Sequence, residues 1–464
     1  MAKGACRVAD DRAARLLALP SESLSPSRLT YVLGAAVAVA IGTLVTVPQA
    51  AWLVLGLLAA GAAGVAVLRW PSLAPAVFWA VFCVQSTVFS QVVVTGLYYP
   101  LYAVMAANLL VGIGISRVRI EPRLVLAYVG FLVVVWISLL TTDSPLGFAA
   151  YQRLFIYVLG LLVMTQFRDE GELRVIQWAQ VVGTLTVSGW AVYSSFTSGF
   201  VHRAGIAADQ NVVSFTLGFG LIVVFARLLT PGGGLWMRTA GWLAMGLGVY
   251  ALLLLASRGV TVAVAVTILA LFARVLTDVR RSVPLVVAAV VIGTAVLALP
   301  GSDALLNRFD EANLSTANER LPLWQAAAAS IADSGPFEVL LGQGFESSRD
   351  VILAAHSSTS AVHNAYLQVA VEFGLLGLAA FLALHVGLLL RFWRSRSWMG
   401  LYAIGATTFM LMANLSLDTP DGFLYWVVIG HLMAIAAHHG EFAPQRPGPV
   451  GAEPETGRRV NSRS

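Results

Sequence analysis

Long apolar runs dominate the chain and are separated by short polar or charged connections. Fourteen runs lie near 31–47, 50–69, 74–95, 97–115, 124–141, 150–166, 175–197, 211–229, 235–256, 259–276, 283–300, 362–389, 398–415 and 422–438. About 17 to 25 apolar residues in a helix cross the hydrocarbon core of a bilayer, so each run predicts a transmembrane helix. Only Pro48 and Gln49 part the first two runs. They form either a helical hairpin or fewer than two spans, so the expected total is twelve to fourteen. Residues 31–300 are read as transmembrane helices one to eleven, 301–361 as one large connection, and 362–439 as three final transmembrane helices. The expected fold class is an all-α integral membrane protein, a polytopic helical bundle.

Composition agrees with that pattern. Of 464 residues, 58% are apolar and 11% charged, with a mean hydropathy of +0.79. A soluble domain carries about a quarter charged residues, so an ordinary water-facing surface cannot be built here. A cytosolic enzyme, a nucleic-acid binder and a disordered scaffold are excluded together. The net charge of +5 comes from arginines scattered singly rather than gathered into a nucleic-acid face. Cys6 and Cys83 are too isolated for a disulfide framework or a cysteine metal site.

In a membrane protein, Lys and Arg report orientation. Residues 1–30 hold Lys3, Arg7, Arg12, Arg15 and Arg28. They lack the apolar core and cleavage site of a signal peptide and are read as a cytoplasmic tail. Residues 440–464 are Pro/Gly-rich and polar, which predicts a second, disordered cytoplasmic tail. With both termini inside, 23 of the 29 cationic residues fall on the cytoplasmic side.

The six exceptions are informative. Arg203, Arg258, Arg308, Arg320 and Arg349 fall in outer connections, and Arg153 lies near the outer end of its span. Arg308 and Arg349 are read equally well as surface residues. Arg258 is different: it stands in Ala256-Ser257-Arg258-Gly259, a tight turn between two very apolar spans, where an unpaired charge costs several kcal/mol.

The connection 301–361 carries Leu321, Leu323, Trp324, Ala327, Ala328 and Ile331 at helical spacing, then Gly342-Gln343-Gly344-Phe345. This predicts a small, mostly helical cap on the outer face. Its exit, from His356 through His363-Asn364-Ala365-Tyr366, opens the next span. His363 and Asn364 either cap that helix, or supply an imidazole base with a neighbouring amide that orients it or binds a hydroxyl. Glu372 lies nine residues further, about 13 Å deeper at 1.5 Å per residue. A carboxylate there must face protein, as structural support or as part of an ion path. Gly374 and Gly377 beside it suit close helix packing. Ahead of the eighth run, Arg203-Ala-Gly205 leads to Asp209-Gln210-Asn211, with Asn211 read as the helix cap.

Paired outer acids of Asp-x-Asp type, a P-loop, a dinucleotide fingerprint and a His-Glu-x-x-His motif are all missing from the sequence. No metal or other cofactor is therefore expected.

Taken in order, these motifs resemble a known family. Ser257-Arg258-Gly259, Arg320-Leu-Pro-Leu-Trp324, Gly342-x-Gly344, His363-Asn364-Ala-Tyr366 and Glu372-Phe-Gly374 look like the O-antigen ligase and Wzy polymerase superfamily of polytopic glycosyltransferases. Arg153 in Tyr151-Gln-Arg-Leu, and Arg203 with Gly205 and Asn211, sit where that family has an earlier Arg and an Arg-Gly-x-Asn-like segment. Gln210 departs from the usual Pro. The resemblance covers about 150–390 and implies a GT-C-like bundle in the bacterial cytoplasmic membrane with an extracytoplasmic active site.

It also implies transfer of a glycan from a polyprenyl-pyrophosphate-linked donor to an acceptor hydroxyl on a glycan or lipid. Membrane lipid surrounds the protein, no nucleic acid is involved, and a chain-length regulator or flippase is a possible partner. Arg258 and Arg320 are expected on the pyrophosphate, assisted by Arg203 and Arg153. His363 is the expected base, with Asn364, Ser257, Tyr366 and Glu372 in support. A sugar pyrophosphate is already a good leaving group, so guanidinium pairs that cancel its charge can replace a metal. Direct attack by the acceptor predicts inversion. Ligase and polymerase stay unseparated. A secondary transporter or flippase of solute or lipid-linked sugar and a non-catalytic envelope scaffold are the alternatives; few charges inside the spans and no evident repeat count against the transporter.

Overall fold

The predicted apolar runs reappear as helices. The computed structural model describes residues 70–87, 101–110, 119–140, 148–198, 209–230, 234–274, 279–302, 320–356 and 362–438, all within one compact unit, residues 67–464. The first two predicted spans, both tails, Arg203 and Arg308 lie outside them. Among the described residues there is no strand. The helices are α1 (Leu73–Thr87), α2 (Leu101–Leu110), α3 (Pro122–Leu140), α4 (Phe148–Met164), α5 (Glu170–Thr197), α6 (Gln210–Leu229), α7 (Leu235–Leu255), α8 (Arg258–Ala273) and α9 (Val279–Leu297). Then follow α10 (Arg320–Ala332), α11 (Pro336–Leu341), α12 (Ser347–His356), α13 (Ala365–Phe392), α14 (Trp398–Ala413), a short 3-10 turn (Thr419–Asp421) and α15 (Phe423–His438).

Four of these, α3, α6, α7 and α13, are long and apolar enough to cross a membrane by themselves. The others owe their place to packing. α5 is the clearest case. Its buried side carries Gln177, Gln180, Thr184, Ser188 and Ser195, while Trp178 and Phe196 on the other side are 60% and 72% exposed. Polar residues inside and large apolar ones outside invert the pattern of a water-soluble helix. The same outward apolar surface covers α3 (Leu126, Val133, Leu140) and α9 (Val286, Val287, Val290, Val291). Hydrocarbon is the solvent that fits such a surface, and the protein is a polytopic helical membrane protein.

Nearly all of α6 and α15 is buried. α6 packs against α5, α7, α8 and α14, and α15 lies along α4. Between α3, α4, α13 and α15 the rings of Phe131, Tyr157, Phe373 and Trp426 meet, with Phe131 and Trp426 stacked at 5.7 Å.

Between α9 and α13 the described residues form the short helices α10, α11 and α12. Leu323, Ala327, Ile352, Val362 and Val371 make a core joining α10 and α12 to the start of α13. Leu321 and Ala328 face outward, so the buried stripe of α10 is narrower than its sequence spacing suggested.

The main surprise is in α13, expected as one continuous span. It breaks at Gly374, where φ is +64°. The break frees backbone carbonyls that cannot be left unpaired away from water. Gln343 N–H donates to Val371 O at 2.8 Å, and Ser138 Oγ donates to Glu372 O at 2.7 Å. The cap and α3 thus complete the broken helix. Gly342, at φ +90°, presses its backbone against Glu372 and Phe373, and Gly374 meets Leu340 and Gly342 in return.

A Cβ at either glycine would overlap backbone atoms that cannot move aside. Gly342→Ala and Gly374→Ala should each undock the cap and lower stability by about 2 kcal/mol or more, from left-handed strain and lost packing. Thermal unfolding in detergent, with limited proteolysis of 320–356, checks this. An unchanged midpoint and an equally protected cap would count against it.

Candidate functional site

Two polar clusters lie at one end of the bundle. The first begins at the α7–α8 turn. Ala256 takes a left-handed conformation (φ 52°), which reverses the chain so that Ser257 and Arg258 start α8. Ser257 Oγ donates to Asn211 Oδ1 at 2.9 Å. Asn211 is therefore not the cap of α6: Asp209 fills that place, its carboxylate accepting from Asn211 N–H at 2.6 Å. Asn211 sits one position inside the helix, which frees its side chain to fix the neighbouring turn. Gly259 brings α8 against Ser416 so closely that a Cβ would overlap the Ser416 hydroxyl.

Arg320, the first residue of α10, donates to Ser416 O at 2.9 Å. Burial lowers the pKa of its guanidinium; Asp418 counters this, Arg258 lowers it further and Asp209 raises it. Those interactions place Arg258, Arg320, Asp209 and Asp418 within one electrostatic neighbourhood.

His363 enters the same neighbourhood from the turn before α13. Its φ is +54°, and its Nδ1 lies 3.0 Å from Asp418 Oδ2. The ring is 32% exposed and Asp418 13%. With Nδ1–H donating to the carboxylate, Nε2 is left as the acceptor, which is the tautomer a base requires. Asp418 Oδ1 is buried without a hydrogen-bond partner among the described residues.

Three candidate supports are accounted for by local structure. Asn364 Oδ1 caps α13, accepting from Tyr366 N–H at 3.0 Å and Leu367 N–H at 3.1 Å. Tyr366 OH donates to Leu411 O at 2.7 Å, tying α13 to α14. Ser257 anchors its turn to α6, as above.

Arg153 and Glu372 form the second cluster instead of joining the first. Arg153 Nη2 reaches Glu372 Oε2 at 2.9 Å and Asp421 Oδ1 at 2.7 Å, and Nη1 lies 3.8 Å from Glu346. Its guanidinium also lies 4.9 Å from the centre of the Phe345 ring. Glu372, fully buried, accepts in addition from Ser348 Oγ at 2.5 Å. Gln368 Nε2 donates to Asp421 Oδ2 at 2.8 Å. Asp418 and Asp421 lie on one short turn, so the two clusters share a hinge point between α14 and α15.

Among the described residues, the non-glycine positions with positive φ are Ala256, Glu346 and His363. All three flank these clusters, and such backbone strain concentrates where geometry is over-determined. Asp418 and Asp421 were missed in the sequence. A rule that weighs an isolated cation between apolar spans applies equally to an isolated acid, and Leu417-Asp418-Thr419-Pro420-Asp421 carries two.

Residues 243–382 match the O-antigen ligase family model, Wzy_C. No curated protein matches the chain. The matched stretch holds Ser257, Arg258, Arg320, His363 and Glu372, while Arg153 and Asp418 reach the site from outside it. The region 243–382, whose motifs meet at one end of the bundle, is thus similar to the O-antigen ligase family, in line with the resemblance of its motifs.

Proposed function

We propose that the protein transfers a glycan from polyprenyl pyrophosphate to an acceptor hydroxyl at the outer face of the bacterial cytoplasmic membrane, with inversion and without a metal. The observation that carries this reading is the His363–Asp418 pair, 3.0 Å apart, beside Arg258 and Arg320. An acceptor hydroxyl is a weak nucleophile and needs a positioned base; a departing pyrophosphate needs its growing negative charge cancelled. The cluster offers one of each.

In the proposed step, the acceptor oxygen forms its bond to the anomeric carbon as His363 Nε2 takes the hydroxyl proton. The carbon–oxygen bond to the pyrophosphate breaks, and its electron pair leaves with the lipid pyrophosphate. Arg258 and Arg320 hold that anion by charge-assisted hydrogen bonds. Asp418 keeps the imidazole in its working tautomer and stabilises the imidazolium formed. His363 then releases its proton to water. Arg203, outside the described residues, is proposed to extend the cationic surface toward the donor.

Arg153 takes a different part in this reading. Glu372, Asp421 and Glu346 already surround its guanidinium, so another anion would have to displace a carboxylate. Arg153 and Glu372 position the α13 break and the 418–421 turn, and thereby His363 and Asp418, without touching the donor.

In reconstituted membranes, His363→Ala should lower transfer by about 10²–10⁴-fold, the usual worth of a general base. Arg258→Lys should cost on the order of 10²-fold, because an ammonium cannot reproduce the planar two-point contact. Nuclear magnetic resonance of the product linkage should show the anomeric configuration opposite to that of the donor. Retained configuration, or near-full activity of His363→Ala, would refute the mechanism.

Stability should separate the arginines in the opposite sense. Arg153→Ala leaves buried Glu372 unpaired and should destabilise the fold by about 3–5 kcal/mol, whereas Arg258→Lys should leave the unfolding midpoint close to wild type. Equal stability of the two variants in detergent melts would return Arg153 to the donor site.

A further inference from the structure

α6 and α14 each begin or end at the candidate site and finish at the opposite face. Asn211 of α6 and Asn414 after α14 belong to the site end; Arg227 with Thr230, and Ser397 with Trp398, lie at the other. The 20 residues of α6 span about 30 Å, the thickness of a hydrocarbon core. At that far face the ends of α5, α6 and α14 border an open cavity of about 300 Å³ whose lining includes Glu170, Arg174, Arg227, Thr230, Arg396 and Trp398.

The lining is strongly cationic. It has three guanidiniums against one carboxylate, and Glu170 is already paired with Arg174. No carboxylate among the described residues pairs with Arg227 or Arg396. Arg227 instead donates to Thr230 Oγ1 at 3.3 Å, and its guanidinium lies 6.0 Å from the centre of the Trp398 ring. Arg174 approaches the same ring at 5.7 Å. The N-terminus of α14 has no acid in its first turn, so its positive dipole end adds to the field at the cavity.

Orientation alone asks only that cations lie somewhere on this face. Arg391 meets that demand while paired with Glu121 at 3.4 Å. It requires neither a cavity lined by three arginines nor convergence of two of them on one indole. Guanidinium is the side chain best matched to phosphate oxygens, and tryptophan favours the headgroup level of a bilayer.

We propose that this cavity binds a phosphate anion, supplied by the headgroup of an acidic membrane phospholipid, between Arg227 and Arg396 with Arg174 at its rim. The site lies a membrane's thickness from His363, and the proposal stands whether or not the transfer reaction does. A bound headgroup would tie together the ends of α5, α6 and α14, two of which reach the candidate site.

The test is thermal unfolding of the full chain in neutral detergent, titrated with phosphatidylglycerol, phosphatidylcholine, glycerol 1-phosphate and inorganic phosphate. Phosphatidylglycerol should raise the midpoint in a saturable way, and zwitterionic phosphatidylcholine should not. Arg227→Gln/Arg396→Gln should lose that rise. Arg123→Gln/Arg238→Gln, which removes the same charge from the same face, should keep it. The exposed single variant Arg396→Gln, least disruptive to folding, should require a markedly higher lipid concentration for half the effect. An equal rise with glycerol 1-phosphate or inorganic phosphate would support the site but identify a soluble phosphate as its source. A rise equally weakened in both double variants, or shared by phosphatidylcholine, would overturn the proposal as diffuse attraction or general lipid solvation.

Discussion

A charged group within a hydrocarbon solvent must be paired inside the protein, and the end of this bundle that carries the candidate site is organised around that requirement. Arg153 gathers Glu372 from α13, Asp421 from the α14–α15 turn, and Glu346 with Phe345 from the cap. Three separate segments are held to α4 by one guanidinium. Removing Arg153 leaves the fully buried Glu372 without its counter-charge, which is strongly unfavourable. This gives the cluster a rigidity that surface ion pairs lack.

The break in α13 depends on the same arrangement. Gly374 interrupts the helix just after Glu372, and the freed carbonyls of Val371 and Glu372 find donors in Gln343 and Ser138. A continuous α13 would leave no room for the backbone contact of Gly342. The cap, the broken helix and the Arg153 cluster therefore require one another. Together they set the 418–421 turn, from which Asp418 reaches His363 while Ser416 O receives Arg320. Proposed catalysis at the rim thus rests on pairing just beneath it.

Much of the fold was legible from apolar length alone. Runs such as 211–229 and 398–415 coincide with α6 and α14 almost residue for residue. Hydropathy says how long a segment is but not which charges face one another. In the sequence Arg153 and Arg258 were both assigned to the donor, Arg258 as a main contact and Arg153 as an assistant. Only the folded chain shows three carboxylates around Arg153. The role of Gly374 was hidden for a related reason: a glycine in an apolar run reads as a packing site, and the break appears only once the cap supplies replacement hydrogen bonds. Asp418 could have been found, because an isolated acid between two apolar spans is as costly as an isolated cation.

If His363 acts as the base, Asp418 works through it. A double-mutant cycle in reconstituted membranes, measuring transfer by wild type, His363→Ala, Asp418→Asn and the double variant, tests it most directly. Asp418→Asn should be costly in wild type and add almost nothing once His363 is gone, as for residues that act as one unit. Losses that multiply in the double variant would show that the two residues act independently and would contradict it.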